Sequence, residues 1–255
     1  MISRKELESA GRSLGFNAYQ AEKDYLQHAF LASLYSVSER EFVFKGGTAL
    51  QKAFGLDRFS EDLDFTLVGK PQNAQALIQA AVADFGKFAE ADSSKDQETA
   101  DSFSVKLKAK GPLFGGSERS SQTILLEVSK REVLLKAPAA RRVVPPYADL
   151  RAYVALCMDL DEQLAEKVRA IMTREKARDV YDAWFLVRKK AVFNKHDSDA
   201  KLSYYGKKFE FKEFKKAVLK KQKAWDKELR TLFKTTPVFT ETSGELLKAI
   251  ETICT

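Results

Sequence analysis

Cysteine is scarce. Only Cys157 and Cys254 occur in 255 residues, far apart and outside any CxxC or Cys/His cluster, so a structural zinc site is excluded and both thiols read as buried or incidental. Long hydrophobic runs are missing too: none approaches the roughly 20 residues that cross a bilayer. The opening stretch MISRKELESAGRSLG holds no apolar signal-peptide core, so cytoplasm is the expected compartment and no membrane partner is expected. Internal repeats and low-complexity blocks are absent, although Lys207 to Lys234 is biased toward lysine. What is present is an apolar fraction of 44%, enough to fill the core of one large domain or two small ones.

Charge is unevenly spread. Between Arg188 and Lys234 there are 16 Lys and Arg against 6 Asp and Glu, a local excess of +10 in a chain of net +7. The remainder is therefore slightly acidic. Such a segment suits a polyanion, because phosphate contacts release counterions, and it equally suits a solvated helix surface that aids solubility.

Ser3 with Glu6 has the spacing of a capping box for a short first helix, and Asn17 is placed to cap a second that runs to about Tyr35. Phe42 to Phe44 reads as a short strand, Gly46 and Gly47 as a turn, and Thr48 to Phe54 as a helix. Asp62 to Leu67 alternates as a strand does, before an alanine-rich helical stretch from about Asn73 to Ala91. Ser104 to Lys108 and Thr123 to Ser129 are strand candidates that pair as a hairpin across the loop Gly111 to Ser121. Pro138, Pro145 and Pro146 then punctuate the chain, and helical periodicity runs from Leu150 nearly to the end, so a boundary is expected near Pro145.

Two physical devices meet in Phe44-Lys45-Gly46-Gly47-Thr48-Ala49-Leu50 and Arg58-Phe59-Ser60-Glu61-Asp62-Leu63-Asp64-Phe65. Glycines between strand and helix let backbone amides approach a phosphate, and the helix N-terminus adds partial positive charge, with the Thr48 hydroxyl as a further donor. A plain tight turn uses the same residues. Asp62 and Asp64, two apart on a strand, project from one face while Leu63 and Phe65 point into the core. Like charges held side by side call for a cation or strong donors, and Mg2+ is the hard, oxygen-seeking candidate. Solvated acids at a strand edge are the plainer reading.

Glu127 stands within Ile124-Leu125-Leu126-Glu127-Val128, where an isolated charge needs a partner. Beside the Asp62 strand it would complete a metal-binding triad and polarise an acceptor hydroxyl, while a cross-strand pair with lysine is the alternative. Leu160, Leu164, Val168 and Ile171 follow helical spacing and put Lys167 on the inward stripe, where it either snorkels or faces a polar site. Asp179 and Asp182, at i and i+3, share a helix face from which they orient Lys167 or nearby arginines, or form surface pairs.

Together with Glu22-Lys23-Asp24-Tyr25, Glu166-Lys167-Val168-Arg169-Ala170, Arg174 and Arg178-Asp179-Val180-Tyr181-Asp182, these segments resemble the AbiEii/AbiGii-type nucleotidyltransferase toxins, a branch of the DNA polymerase β-like superfamily. The resemblance spans most of the chain to about Arg188. It implies an α+β fold: a polymerase β-like nucleotidyltransferase core, with a mixed sheet flanked by helices, over residues 1–145. A helical domain over 146–255 would contribute Lys167 and the basic surface. It implies Mg2+ on Asp62, Asp64 and Glu127, and nucleotide binding by Gly46, Gly47, Thr48 and Ser60. Lys167 would contact the triphosphate, with Asp179 and Asp182 in support. Threonine replaces the commoner serine of the glycine motif and keeps the hydroxyl.

Members act as toxins of toxin–antitoxin or phage-defence pairs, some adding nucleotides to the 3′ end of tRNA. An NTP, an RNA acceptor met by the basic segment, and a cognate antitoxin are therefore the expected partners. Tyr204, Tyr205, Phe209, Phe211, Phe214 and Trp225 interleave with lysines there, as base-stacking groups or as helix core. Rival readings are the same chemistry on a small molecule or protein, and a non-catalytic RNA-binding module.

Overall fold

The computed structural model describes residues 1–69 and 73–254, the side chain of Cys254 excepted. Its contacts divide the chain into two compact units, Met1–Val133 with Pro138–Cys157 and Leu134–Ala137 with Met158–Thr255. The division after Cys157 falls later than the boundary expected near Pro145, because Tyr153–Cys157 is a strand of the first unit's sheet and not the start of the helical region.

In the first unit, Ser3 and Glu6 form the anticipated capping box for α1 (Arg4–Leu14), and Asn17 caps α2 (Ala18–Val37) as expected, with Gln20 completing a second box. The strands are β1 (Phe42–Lys45), β2 (Leu63–Leu67), β3 (Ala91–Glu98), β4 (Ser102–Ala109), β5 (Gln122–Ser129), β6 (Ala139–Val143) and β7 (Tyr153–Cys157). They form one mixed sheet of order β3-β4-β5-β2-β1-β7-β6, with β2–β5 and β1–β7 parallel and the remaining neighbours antiparallel. The helices α3 (Gly46–Phe54) and α4 (Ala74–Phe85) connect successive strands.

One face of the sheet carries Phe44, Leu63, Phe65, Leu126, Val128, Phe103 and Val105, all buried in a core shared with α2 and α4. From Ala21 to Leu31 every residue of α2 is buried, which explains its weak amphipathicity: a helix covered all round has no solvent stripe. The hairpin of β4 and β5 forms as expected. By contrast, the helix read as far as Ala91 ends at Phe85, and Ala91–Glu98 is a strand. Its sequence, ADSSKDQE, lacks alternation because β3 is an edge strand with little burial on either face. Cys157 is fully buried, and burial pushes its thiol up to about 12.

The second unit is helical: α5 (Leu160–Thr173), α6 (Arg178–Arg188), α7 (Lys195–Ser203), α8 (Phe211–Lys220), α9 (Gln222–Leu229) and α10 (Phe239–Cys254). Phe209, Phe214 and Trp225 are core residues, whereas Tyr204 and Tyr205 are exposed, so most aromatics of the lysine-rich span serve packing. The strap Leu134–Ala137 belongs to this unit through Glu162, whose carboxylate accepts the Leu135 and Lys136 amides at 3.0 Å each and the Lys201 ammonium at 2.6 Å. No helix among the described residues is long and apolar enough to cross a membrane.

Candidate active site

α3 begins on the residue after β1 ends, and Gly46 makes this possible by adopting φ +73°, a left-handed conformation that side chains disfavour. A Cβ on Gly46 would stand 2.2 Å from Oδ2 of Asp64, and one on Gly47 would stand 2.3 Å from Nη2 of Arg58 and 2.8 Å from the Ser60 hydroxyl. The glycine turn is thus packed directly against the Asp64 carboxylate on one side and against Arg58 and Ser60 on the other. Leu63 and Phe65 are buried and Asp62 and Asp64 half-buried, the alternation expected.

Register places the acids. Asp64 is opposite Lys45 on β1 and opposite Glu127 on β5, so the three side chains rise from one face of the sheet in a row. Glu127 therefore stands beside the Asp62–Asp64 strand as its sequence context suggested. Its environment differs from that expectation: the side chain is exposed, because this face of β5 is not covered, and its apolar neighbours in sequence turn mainly to the opposite face. Among the described residues no group of three or more His, Cys, Asp or Glu side chains is gathered closely enough to hold a metal ion. The donor set still suits a hard divalent cation, being two half-buried carboxylates two residues apart with a third on the adjacent strand.

Thr48 is fully buried, and its hydroxyl donates to the backbone carbonyl of Asp62. That bond ties α3 to the acidic strand, and it leaves the Thr48 backbone N–H, not the hydroxyl, as the group placed for an anion. Gln27 of α2 fixes the preceding loop by donating to the Glu61 carbonyl at 2.7 Å and the Ser60 carbonyl at 3.3 Å. Lys45 forms an ion pair with Glu132, both buried.

The acids of α2 act as anchors. Asp24 accepts from Gln51 at 2.8 Å, from Lys52 at 2.7 Å and from the Tyr147 hydroxyl at 2.9 Å, which holds α3 by its second half and so sets where its glycine end falls. Burial would raise the Asp24 carboxyl, but Lys52, His28 and the Tyr147 hydrogen bond together outweigh it and keep the group below the usual range. His28 alongside is pushed down to about 3 by burial and then by Lys52, so it is neutral near pH 7. Glu22 accepts from the Leu113 amide at 2.6 Å and pins the loop between β4 and β5. Nothing local in the sequence marks the work of Glu22 and Asp24, nor the pairing of Lys45 with Glu132 across the chain.

In the second unit Lys167 is buried and does not snorkel. Its ammonium lies 2.9 Å from Asp179 Oδ1 and 2.6 Å from Asp182 Oδ2, so the i, i+3 aspartates do orient it. Arg174 adds a two-pronged contact to Asp179, at 2.7 and 2.8 Å. Burial alone would raise the Asp179 carboxyl; Lys167 and Arg174 override it and hold the group far below the carboxylate range.

A glycine turn at a helix start is thus seated against the Asp64 strand of a mixed sheet. The fold is shared with a candidate nucleotidyltransferase of H. pylori at TM-score 0.65 and 22% identity, covering 91% of this chain and 92% of that one. It is also shared with JHP933 of Helicobacter pylori, at 0.57 and 20% over 92% and 91%. MenT4, a nucleotidyltransferase toxin of Mycobacterium tuberculosis H37Rv, is similar at 0.57 and 15% over 98% and 88%. No curated protein sequence matches. Residues 29–251 match the family of the nucleotidyl transferase AbiEii toxin of type IV toxin–antitoxin systems, and the chain belongs to that family.

The Gly46 geometry has a measurable consequence. Gly46→Ala is expected to cost about 1–2 kcal/mol in backbone strain. It should also displace the Asp64 carboxylate, so that transfer activity falls further than the shift in melting temperature explains. Equal losses of activity and stability would contradict the placement of Asp64.

Proposed function

We propose that the protein transfers a nucleotide from an NTP to the 3′ hydroxyl of an RNA, tRNA being the favoured acceptor, as the toxin of a toxin–antitoxin pair. The observation that carries this reading is the packing of the Gly46–Gly47 turn against Asp64, in one row with Glu127. Backbone amides of Gly46, Gly47 and Thr48 hold the phosphate chain, with Ser60 at its side. Asp62 and Asp64, with Glu127 on the neighbouring strand, are the residues that would hold Mg2+, which when bound neutralises phosphate charge and stabilises the leaving group. The acceptor oxygen bonds to the α-phosphorus as the bond to the β-phosphate oxygen breaks. Pyrophosphate leaves with the electron pair, and the hydroxyl proton passes to a carboxylate of this face, Glu127 being the exposed one.

For Lys167 the role of triphosphate cation rests on the family resemblance, with Asp179 and Asp182 holding its ammonium in place. The RNA preference is supported by the exposed lysines of α8, Lys212, Lys215, Lys216 and Lys220, in the span of local charge +10.

The test is incubation with each α-labelled NTP, Mg2+ and whole-cell RNA, followed by gel separation. Label is expected in a discrete RNA band, with none in the presence of a chelator. Label released only as small products would move the acceptor to a small molecule, and no Mg2+-dependent labelling or pyrophosphate release with any acceptor would end the enzymatic reading.

A further inference from the structure

The two edges of the sheet are defended differently. An edge strand presents a row of amides and carbonyls that another strand can take up, and chains usually blunt it. β3 is blunted: a bulge between Lys95 and Gln97 interrupts its pairing with β4, and the pairs Lys95–Glu98 and Asp96–Lys106 take up its charges. β6, at the other edge, has neither device. Its register with β7 runs unbroken from Ala139 opposite Cys157 to Val143 opposite Tyr153, and Ala139, Ala140, Arg141 and Arg142 are all exposed. Every second residue of this strand therefore turns its backbone amide and carbonyl outward.

Its charge is one-sided. Among the described residues neither Arg141 nor Arg142 pairs with a carboxylate; Arg141 lies over the Phe54 ring at 5.4 Å, and Arg142 stands opposite Val154. Arg151, also exposed, comes two residues before β7, level with the end of β6. Asp149, the nearest acid in sequence, already accepts from the Tyr25 hydroxyl at 2.6 Å. Apolar surface adjoins the arginines, since Val154 is 55% exposed and Val144, just past the strand, 68%.

We propose that β6 is a docking edge for an extended acidic segment of a partner protein, which joins the sheet as a further strand. Two adjacent carboxylates of that segment, one on each face, meet Arg141 and Arg142, and an apolar neighbour lies against Val144. A second copy of the chain fits poorly. Antiparallel pairing of two β6 strands about Arg141, the middle residue, would set arginine opposite arginine, and like charges so placed repel. RNA would use the charge but leave the valines and the strand's backbone groups idle. The edge lies two strands from β1, so the inference does not depend on the transfer reading.

The test is fluorescence anisotropy on the full chain with a short labelled peptide of paired glutamates between paired valines. It is compared with the same peptide N-methylated at alternate residues, with its lysine counterpart and with a short oligouridylate. The glutamate peptide is expected to bind at least about tenfold more tightly than either peptide control, and to protect the amides of residues 139–143 from hydrogen exchange. Joint Arg141→Glu and Arg142→Glu exchange should reverse the preference between glutamate and lysine peptides at an unchanged melting temperature. If that variant does not fold, Arg142→Ala, which keeps the contact of Arg141 with Phe54, should still weaken the glutamate peptide selectively. No binding, no preference for the glutamate peptide, or protection elsewhere would overturn the proposal. So would tighter, arginine-dependent binding of the oligouridylate, which would give the edge to RNA, or a dimer lost on charge reversal, which would give it to a second copy.

Discussion

Exchange of both Asp62 and Asp64 for alanine is expected to lower Mg2+-dependent transfer of labelled nucleotide by roughly a thousandfold or more, since carboxylates of this kind act together and their losses do not add. The reason lies in the sheet. Both side chains are half-buried, and Asp64 lies on β2 between Lys45 and Glu127 and against Gly46. The same exchange removes two like charges spaced two residues apart, so folding should be unharmed; the backbone bond from the Thr48 hydroxyl to Asp62 is kept by any residue at that position. A melting temperature near that of wild type, with transfer lost, is the predicted pair of results. Variants that keep Mg2+-dependent transfer would show that the chemistry lies elsewhere.

Asp179→Asn acts on a different footing. Removing one partner of a buried ion cluster leaves the others uncompensated, at about 3–5 kcal/mol, a large part of the stability of a domain this size. Asp179 and Asp182 are both fully buried, and Asp179 serves Lys167 and Arg174 together. The variant is therefore expected to unfold at much lower denaturant concentration, or to accumulate poorly. The pH dependence has a definite sign. The folded carboxyl is held below its ordinary value of about 4, so its contribution is complete above that pH and fades as pH falls below it. Wild-type stability should thus decline as the solution is acidified below about pH 4, and Asp179→Asn should decline less over that window. Denaturant midpoints measured at several pH values check both points; a variant as stable as wild type at pH 7 would show that the cluster carries no stability.

Much of the site was legible because its signals are local. Ser3 with Glu6 announces one helix start by spacing and Asn17 another by its residue type, and both caps form. Period two sets Asp64 on the face opposite the buried Leu63 and Phe65 of β2, while Asp62 falls just before the strand begins. Lys167, Asp179 and Asp182 lie within five turns of helix, so their meeting follows from helical geometry with one reversal. The family motifs tied these pieces into order. What was not legible depends on strand pairing between distant segments. β7 lies in the stretch from Leu150 read as helical, and only the pairing of Cys157 with Phe44 shows it to be a strand; β3 carries no pattern because an edge strand has little to bury. Lys45 with Glu132, and Asp24 with Lys52, join residues whose proximity no spacing rule foresees. Thr48 was expected to offer its hydroxyl outward, and the carbonyl of Asp62 takes it instead.

The strap Leu134–Ala137 changes how the chain can be divided. The backbone passes from one unit to the other after Val133, returns after Ala137 and passes again after Cys157. A fragment ending at Cys157 would retain the strap but lose Glu162 and Asp161, the groups that accept its amides and the Lys136 ammonium. A fragment starting at Met158 would expose the Glu162 carboxylate beside Lys201 with two hydrogen bonds missing. Dissecting the protein by a single cut therefore injures both pieces, and a deletion series judged by solubility will report on that stitch before it reports on catalysis.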